Sequence, residues 1–296
     1  MRIAHISDLH ALDLSGASPL RFLSKRFFGW LNLLRKRRAA HPIELLDALC
    51  TDLAGQQLDH VVVTGDLTNL SLPSEFQRAR RALDGLPFGP HAITAIPGNH
   101  DVYVWEAYFG RTFEKNLLPY AQSDGAQEGE LPTWPIVRVR DGVAIVGCST
   151  ALPSPVPLAD GWLGGRQLKR LEEALDGLRD KFRVLLIHHP LLPQHLDVLR
   201  ALRDRGRLHK LLQRVGCELV LHGHEHRDLR ATVPGPTGPI PVIGVGSGTY
   251  NHPLLDRRAR YNVYTIAGEG RAAQFTVEQR VHDPASGIFV PYQPTT

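Results

Sequence analysis

Cysteine is scarce. The 296 residues hold three, Cys50, Cys148 and Cys217, widely spaced and each in an apolar context. An odd, scattered set argues against a disulfide framework and fits buried thiols in a reducing compartment. Long apolar runs are missing as well. Stretches such as Val143 to Val146 and Val184 to Ile187 are strand-sized, far short of the ~20 residues a membrane span needs. No signal-peptide pattern opens the chain, because Met1-Arg2 runs straight into a short apolar segment with Asp8 and His10 behind it. These absences predict a cytoplasmic protein. No low-complexity tract or internal repeat occurs, and 43% hydrophobic against 22% charged residues excludes disorder as the main state. Acid is absent from one stretch: residues 21–38 hold seven basic side chains and no acidic one. The net charge is +4, so with these seven set aside the rest carries −3. The basicity is one local patch rather than a general polyanion-binding surface, and nucleic acid is not an expected partner.

Apolar spacing outlines alternating strands and helices. Strands are expected at 2–6, His60 to Thr64, His91 to Ile96, Phe182 to Ile187 and Glu218 to Leu221. Asp141-Gly142 is a hairpin signal between two further strands. Helices are expected from Pro42, as first residue, to about Ala54; from Glu75 to about Leu83, with Ser74 and Gln77 as a capping box; over 104–117; and over 165–179. Leu196 to Val215 reads as a helix with a break at Gly206. After about residue 228 the pattern is β-hairpins. No linker divides the chain, so 1–296 is read as one α/β layered domain.

The strand ends carry the chemistry. The first is followed by Asp8 and His10, the second by Gly65-Asp66, the third by Gly98-Asn99-His100-Asp101. Two later strands end in His188 and in Gly223-His224-Glu225-His226. Loops at strand C-termini are where α/β sheets place their sites. Carboxylate, carboxamide and imidazole donors suit two first-row divalent ions, with a shared carboxylate between them. Glycines beside Asp66, Asn99 and His224 permit close backbone approach. A lone histidine is more often a hydrogen-bonded core residue; five blocks together are not explained that way. His5, His189 and His222 are read as packing or supporting residues. Asn251 and His252, after a Gly-rich strand end, are candidates for the substrate pocket.

This order of blocks over residues 3–226 resembles the calcineurin-like metallophosphoesterases, including their cyclic-nucleotide phosphodiesterase and UDP-diacylglucosamine pyrophosphohydrolase branches. The resemblance implies a four-layer α/β/β/α sandwich of two mixed sheets. It implies that Asp8, His10 and His226 hold one metal, that Asn99, His188 and His224 hold the other, and that Asp66 bridges. His100 would face the phosphate and Asp101 would orient it. The implied cofactor is a pair of divalent ions, manganese first, iron or zinc otherwise. The implied reaction is hydrolysis of a phosphoester, most simply a phosphodiester, by a hydroxide bridging the two metals.

Residues 20–38 stand apart. On a helical wheel Leu20, Leu23, Phe27, Trp30, Leu31 and Leu34 share one face, with Arg21, Lys25, Arg35 and Lys36 opposite, while Arg26 and Phe28 break the pattern. Such a helix either packs on the protein or lies in a membrane interface. The second option makes Leu23, Phe27, Trp30 and Arg35 a membrane contact or lid. It points to a peripheral position on the inner membrane face and to a lipid-linked substrate such as UDP-2,3-diacylglucosamine, cleaved at its pyrophosphate. A nuclease and a non-catalytic scaffold are weaker alternatives. The sequence leaves oligomeric state open.

Overall fold

The apolar runs assemble into two six-stranded mixed sheets with helices outside both. The arrangement comes from a computed structural model, which describes residues 1–15, 26, 40–155, 158–192 and 199–292. In the first sheet β1 (Arg2–Ile6), β2 (His60–Val63) and β3 (Ile93–Ala95) run parallel. β10 (Arg260–Ala267), β11 (Gln274–Asp283) and β12 (Ile288–Tyr292) extend it antiparallel beyond β1. The second sheet is built on parallel β5 (Val143–Gly147), β6 (Phe182–Leu186), β7 (Leu219–His222) and β9 (Pro239–Gly244). Antiparallel β4 (Ile136–Arg140) and β8 (Leu229–Pro234) close its two edges.

Side-chain alternation explains the layers. In β2, Val62 points between the sheets, and Val61 and Val63 point to the outer core with α1 (Ile43–Gly55) and α2 (Pro73–Asp84). In β6, Val184 and Leu186 point between the sheets, and Leu185 meets the core under α5 (Gly165–Gly177) and α6 (Arg205–Val215). The α/β/β/α order expected from the sequence is the one observed. The three cysteines are free, as their spacing implied.

Local expectations differ in four places. Pro42 is the N-cap of α1, with extended φ and ψ, rather than its first helical residue. The box at the start of α2 uses Glu75, whose carboxylate accepts from Leu70 N at 2.9 Å and Leu72 N at 3.1 Å; Ser74 instead donates to Asp13 O. The helix expected over 104–117 is split into α3 (Trp105–Phe109) and α4 (Thr112–Asn116), because Arg111 takes a left-handed φ of 52° between them. The helix expected from Leu196 begins only at Arg205: residues 199–204 form turns and a bridge, Gly206 lies inside the first turn of α6, and residues 193–198 lie outside the described set.

One buried guanidinium ties the second sheet to its helices. Arg183, in β6, pairs with both oxygens of Glu218 at 2.8 and 2.9 Å. It also donates to Leu175 O in α5 at 2.9 Å and to Val215 O in α6 at 3.3 Å. It thereby satisfies carbonyls that both helix C-termini leave over.

Candidate metal centre

The parallel strands of both sheets end on one edge, and the polar blocks meet there. Asp8 and His10 follow β1, Asp66 follows β2, Asn99 and His100 follow β3, His188 follows β6, and His224 and His226 follow β7. Backbone bonds lace the first loops together: Asp8 N to Gly65 O at 2.9 Å and His10 N to Asp66 O at 3.0 Å. Two bonds cross between the sheets: His188 Nδ1 to Thr64 O at 2.7 Å and His224 N to Asp8 Oδ2 at 3.0 Å.

The backbone there is unusual. Eight non-glycine residues among those described have left-handed φ, and five of them are Asp8, His10, Asp66, His224 and His226, at 45–74°. Each such residue carries strain that ordinary core packing does not require. The glycines earn their place by close approach. A Cβ on Gly98 would lie 2.2 Å from Asp66 Oδ1, and one on Gly223 would lie 1.9 Å from Ser7 Oγ and 2.6 Å from Asp8 Oδ2.

The side chains form two clusters. In one, His226 Nε2 is 3.1 Å from Asp8 Oδ1 and 3.2 Å from His10 Nε2. In the other, His188 Nε2 is 3.2 Å from Asn99 Oδ1, 3.2 Å from His224 Nδ1 and 3.5 Å from Asp66 Oδ2. Donor atoms of Asp8, His10 and Asp66 also lie within 4.8 Å of one another, so Asp66 neighbours both clusters. These groups could hold metal ions, and their chemistry fits. Imidazole nitrogens face each other at 3.2 Å, and among the described residues the buried Nε2 of His224 has no hydrogen-bond partner. His10 and His188 each give Nδ1 to a carbonyl, Thr68 O and Thr64 O, the usual support of a ligating histidine. Burial alone would depress His188, but Asp66 and Asp8 lift it to about 9. Burial alone would raise Asp66, but His188 and then His100 hold it well below the carboxylate range. Burial and the neighbouring His189 and His188 push His224 well down.

His100 sits at the rim, its ring stacked on Tyr103 at 5.5 Å and its Nδ1 2.7 Å from Asn69 O. The expectation that Asp101 orients this ring is corrected: the Asn69 carbonyl holds Nδ1. The Asp101 carboxylate accepts from Gly98 N, Leu67 N, Thr68 N and Thr68 Oγ1, and so fastens the two loops together. Burial, then Asp66, pushes Asp101 up to about 7.

A pocket of about 190 Å³ opens over Asp66, Asn99, His100, His224 and His226. Arg200, Arg227, Arg257 and Tyr250 also line it. Sequence reasoning missed these four, because no motif marks them. Asn251 and His252 follow Tyr250 on the surface, Asn251 exposed and the His252 ring 5.1 Å from that of Tyr250. His5, His189 and His222 are buried, with Nε2 of His5 on Thr64, Nδ1 of His189 on Thr150 and Nδ1 of His222 on Gly223 O. Leu23, Phe27, Trp30 and Arg35 lie outside the described residues. Arg26 is described, and it is buried: it donates to Leu70 O and Ser71 O and pairs with Glu106 at 3.0 Å. These three acceptors give the guanidinium of Arg26 a buried role within the protein.

Fold and donor set together define a phosphoester hydrolase. The chain belongs to the calcineurin-like phosphoesterases, whose family model matches residues 1–228. A glycerophosphodiester phosphodiesterase, GpdQ, of Enterobacter lignolyticus is 27% identical over 230 residues, which are 76% of this chain and 71% of that protein. Among solved structures, a dimetal phosphatase from Danio rerio superposes with TM-score 0.61 at 15% identity, covering 94% of this chain and 98% of that one. A purple acid phosphatase, PPD1, from yellow lupin seeds gives 0.58 at 12% identity, covering 98% of this chain and 52% of that one. At such identities these two likenesses speak for the fold alone. No helix among the described residues is long and apolar enough to cross a membrane.

Proposed function

We propose that this chain is a phosphodiesterase working with two divalent metal ions, and that residues 1–296 act as one catalytic unit. The observation that carries this is the pair of Asp/His/Asn clusters sharing Asp66 on strained, left-handed backbone. Asp8, His10 and His226 would hold one ion, Asn99, His188 and His224 the other, and Asp66 would serve both. Two ions there supply Lewis acidity toward water and toward the phosphate oxygens. The chain's own residues do the rest. Arg200, Arg227 and Arg257 give the pocket positive charge for an anionic diester. His100 keeps Nδ1–H on Asn69 O and lines the pocket with the rest of its ring; as an imidazolium it would give its Nε2 proton to the leaving-group oxygen and be left as the neutral Nδ1–H ring. Asp101 keeps the loop bearing His100 against the loop bearing Asp66.

The diester preference draws support from the glycerophosphodiester phosphodiesterase relative. The pyrophosphohydrolase reading depends on residues 20–38, outside the described set apart from Arg26, and Arg26 is engaged with protein. The test is metal-free protein given Mn²⁺, Fe²⁺ or Zn²⁺ with bis(p-nitrophenyl) phosphate, glycerophosphodiesters, cyclic AMP and UDP-2,3-diacylglucosamine. Metal-dependent cleavage of the diesters is the expected result. Cleavage of the pyrophosphate alone would replace the reading with the lipid-linked one. Two bound ions with no product from any substrate would overturn it.

A further inference from the structure

We infer that His41 is a further ligand of the ion held by Asp8, His10 and His226, an inference that rests on the two-metal reading above. His41 lies just before α1, away from all five sequence blocks, yet it is buried against them. Its ring meets His10 edge-on at 4.6 Å and His226 edge-on at 5.8 Å. One ring nitrogen from each of His10, His41 and His226 lies within 4.8 Å of the others.

Hydrogen bonding fixes which nitrogen His41 offers. Thr249 Oγ1 gives its single proton to Leu9 O at 2.7 Å. It must therefore accept at its 2.9 Å contact with His41 Nδ1. Neutral His41 then carries its proton on Nδ1 and its lone pair on Nε2. His10, bonded through Nδ1 to Thr68 O, is arranged the same way. A ring nitrogen anchored to an oxygen with the opposite nitrogen turned to the cluster is how ligating histidines are supported. The segment is pinned on both sides: Asn251 N donates to Ala40 O at 2.7 Å, and Tyr250 stacks on the His41 ring at 5.3 Å.

Three imidazoles make this position richer in nitrogen than the one with Asn99, His188 and His224. Such a set favours zinc, cobalt or iron over manganese and magnesium. The experiment titrates Co²⁺ into metal-free protein, reading the visible spectrum and metal per chain. Wild type, His41→Ala and His41→Phe are compared, the last keeping a ring against Tyr250. Both variants are expected to bind one ion as wild type does and the other about 10- to 100-fold more weakly. Added imidazole should restore the spectrum of His41→Ala, and the metal-free proteins should melt alike. Unchanged affinity and spectrum in His41→Phe would reduce His41 to a packing wall and overturn the inference. Wild type that takes up fewer than two ions would instead bring down the two-metal reading, and this inference with it.

Discussion

A methyl group on Gly98 tests how tightly the site is held. The added Cβ would stand 2.2 Å from Asp66 Oδ1, 2.4 Å from Asp66 N and 2.8 Å from Asp66 Cγ. Real Cβ contacts below 3.0 Å are essentially never seen, so a shift of about 0.8 Å or more is forced. The neighbour cannot swing aside, because backbone is among the atoms met. Asp66 is also fixed at φ 53°, with its carbonyl accepting from His10 N and Oδ1 accepting from His100 N at 2.7 Å. Overpacking of this kind costs about 1–3 kcal/mol of stability. Displacing Asp66, which under the proposed assignment both ions share, should cost more in function, on the order of 100-fold in turnover for ~1 Å. Gly55→Ala is the control: it lies at the end of α1 with nothing within 4 Å of its Cβ, and should be neutral or slightly stabilising. Metal per chain, thermal unfolding and bis(p-nitrophenyl) phosphate turnover read the pair. Gly98→Ala with full metal and turnover within threefold of wild type would refute the argument.

His100→Ala should keep its metal content and lose about 10²- to 10⁴-fold in turnover; loss of metal instead would make His100 a ligand. Arg183→Met strands two helix-end carbonyls and leaves Glu218 only the residue-183 N–H and Arg271, a loss of about 3–5 kcal/mol. At this chain length that is roughly 10 °C in Tm, and a shift under a third of that would show the pair to be dispensable. Burial pushes the Glu75 carboxyl from 4.5 up to about 7, against the backbone N–H groups it accepts from. A carboxyl raised on folding contributes stability that is whole below 4.5 and is lost as pH climbs to 7, about 3 kcal/mol in all. Glu75→Gln should therefore gain on wild type in thermal melts as pH rises from 5 to 8; parallel pH profiles would mean Glu75 ionises freely.

The site was legible because its ligands cluster in short blocks at strand ends, where side-chain chemistry and spacing are both local. Asp8 and His10, or His224 and His226, are two apart and announce themselves. Short continuous apolar runs such as His60 to Val63, all buried, make the strands legible for the same reason. What failed to show depends on tertiary partners. Arg111 takes a left-handed φ and donates to Pro132 O, a residue far along the chain, and nothing at 104–117 predicts that break. The family resemblance implies that Asp101 orients His100, but its acceptors are used up by loops that the fold brings near. His41 carries no motif; it reaches the cluster because α1 packs beneath β1 and the loop at Thr249 closes over both.

The site belongs to the contact between the sheets rather than to either one. Asp8, His10, Asp66, Asn99 and His100 come from the first sheet, and His188, His224 and His226 from the second. Under the proposed assignment each ion takes ligands from both. Ion binding and sheet packing are then thermodynamically linked. An ion at about 100 times its Kd should stabilise the fold by about 2.7 kcal/mol, and a chelator should remove that gain. The converse follows from the same linkage. Val62 and Val184 face each other's sheets in the shared core, so Val62→Ala, itself no ligand and four residues before Asp66, should weaken metal uptake if it lets the sheets shift. Calorimetric melts of wild type and Val62→Ala, each with saturating Mn²⁺ and with chelator, measure both directions. A wild-type melt indifferent to metal would separate the site from the interface and defeat this account.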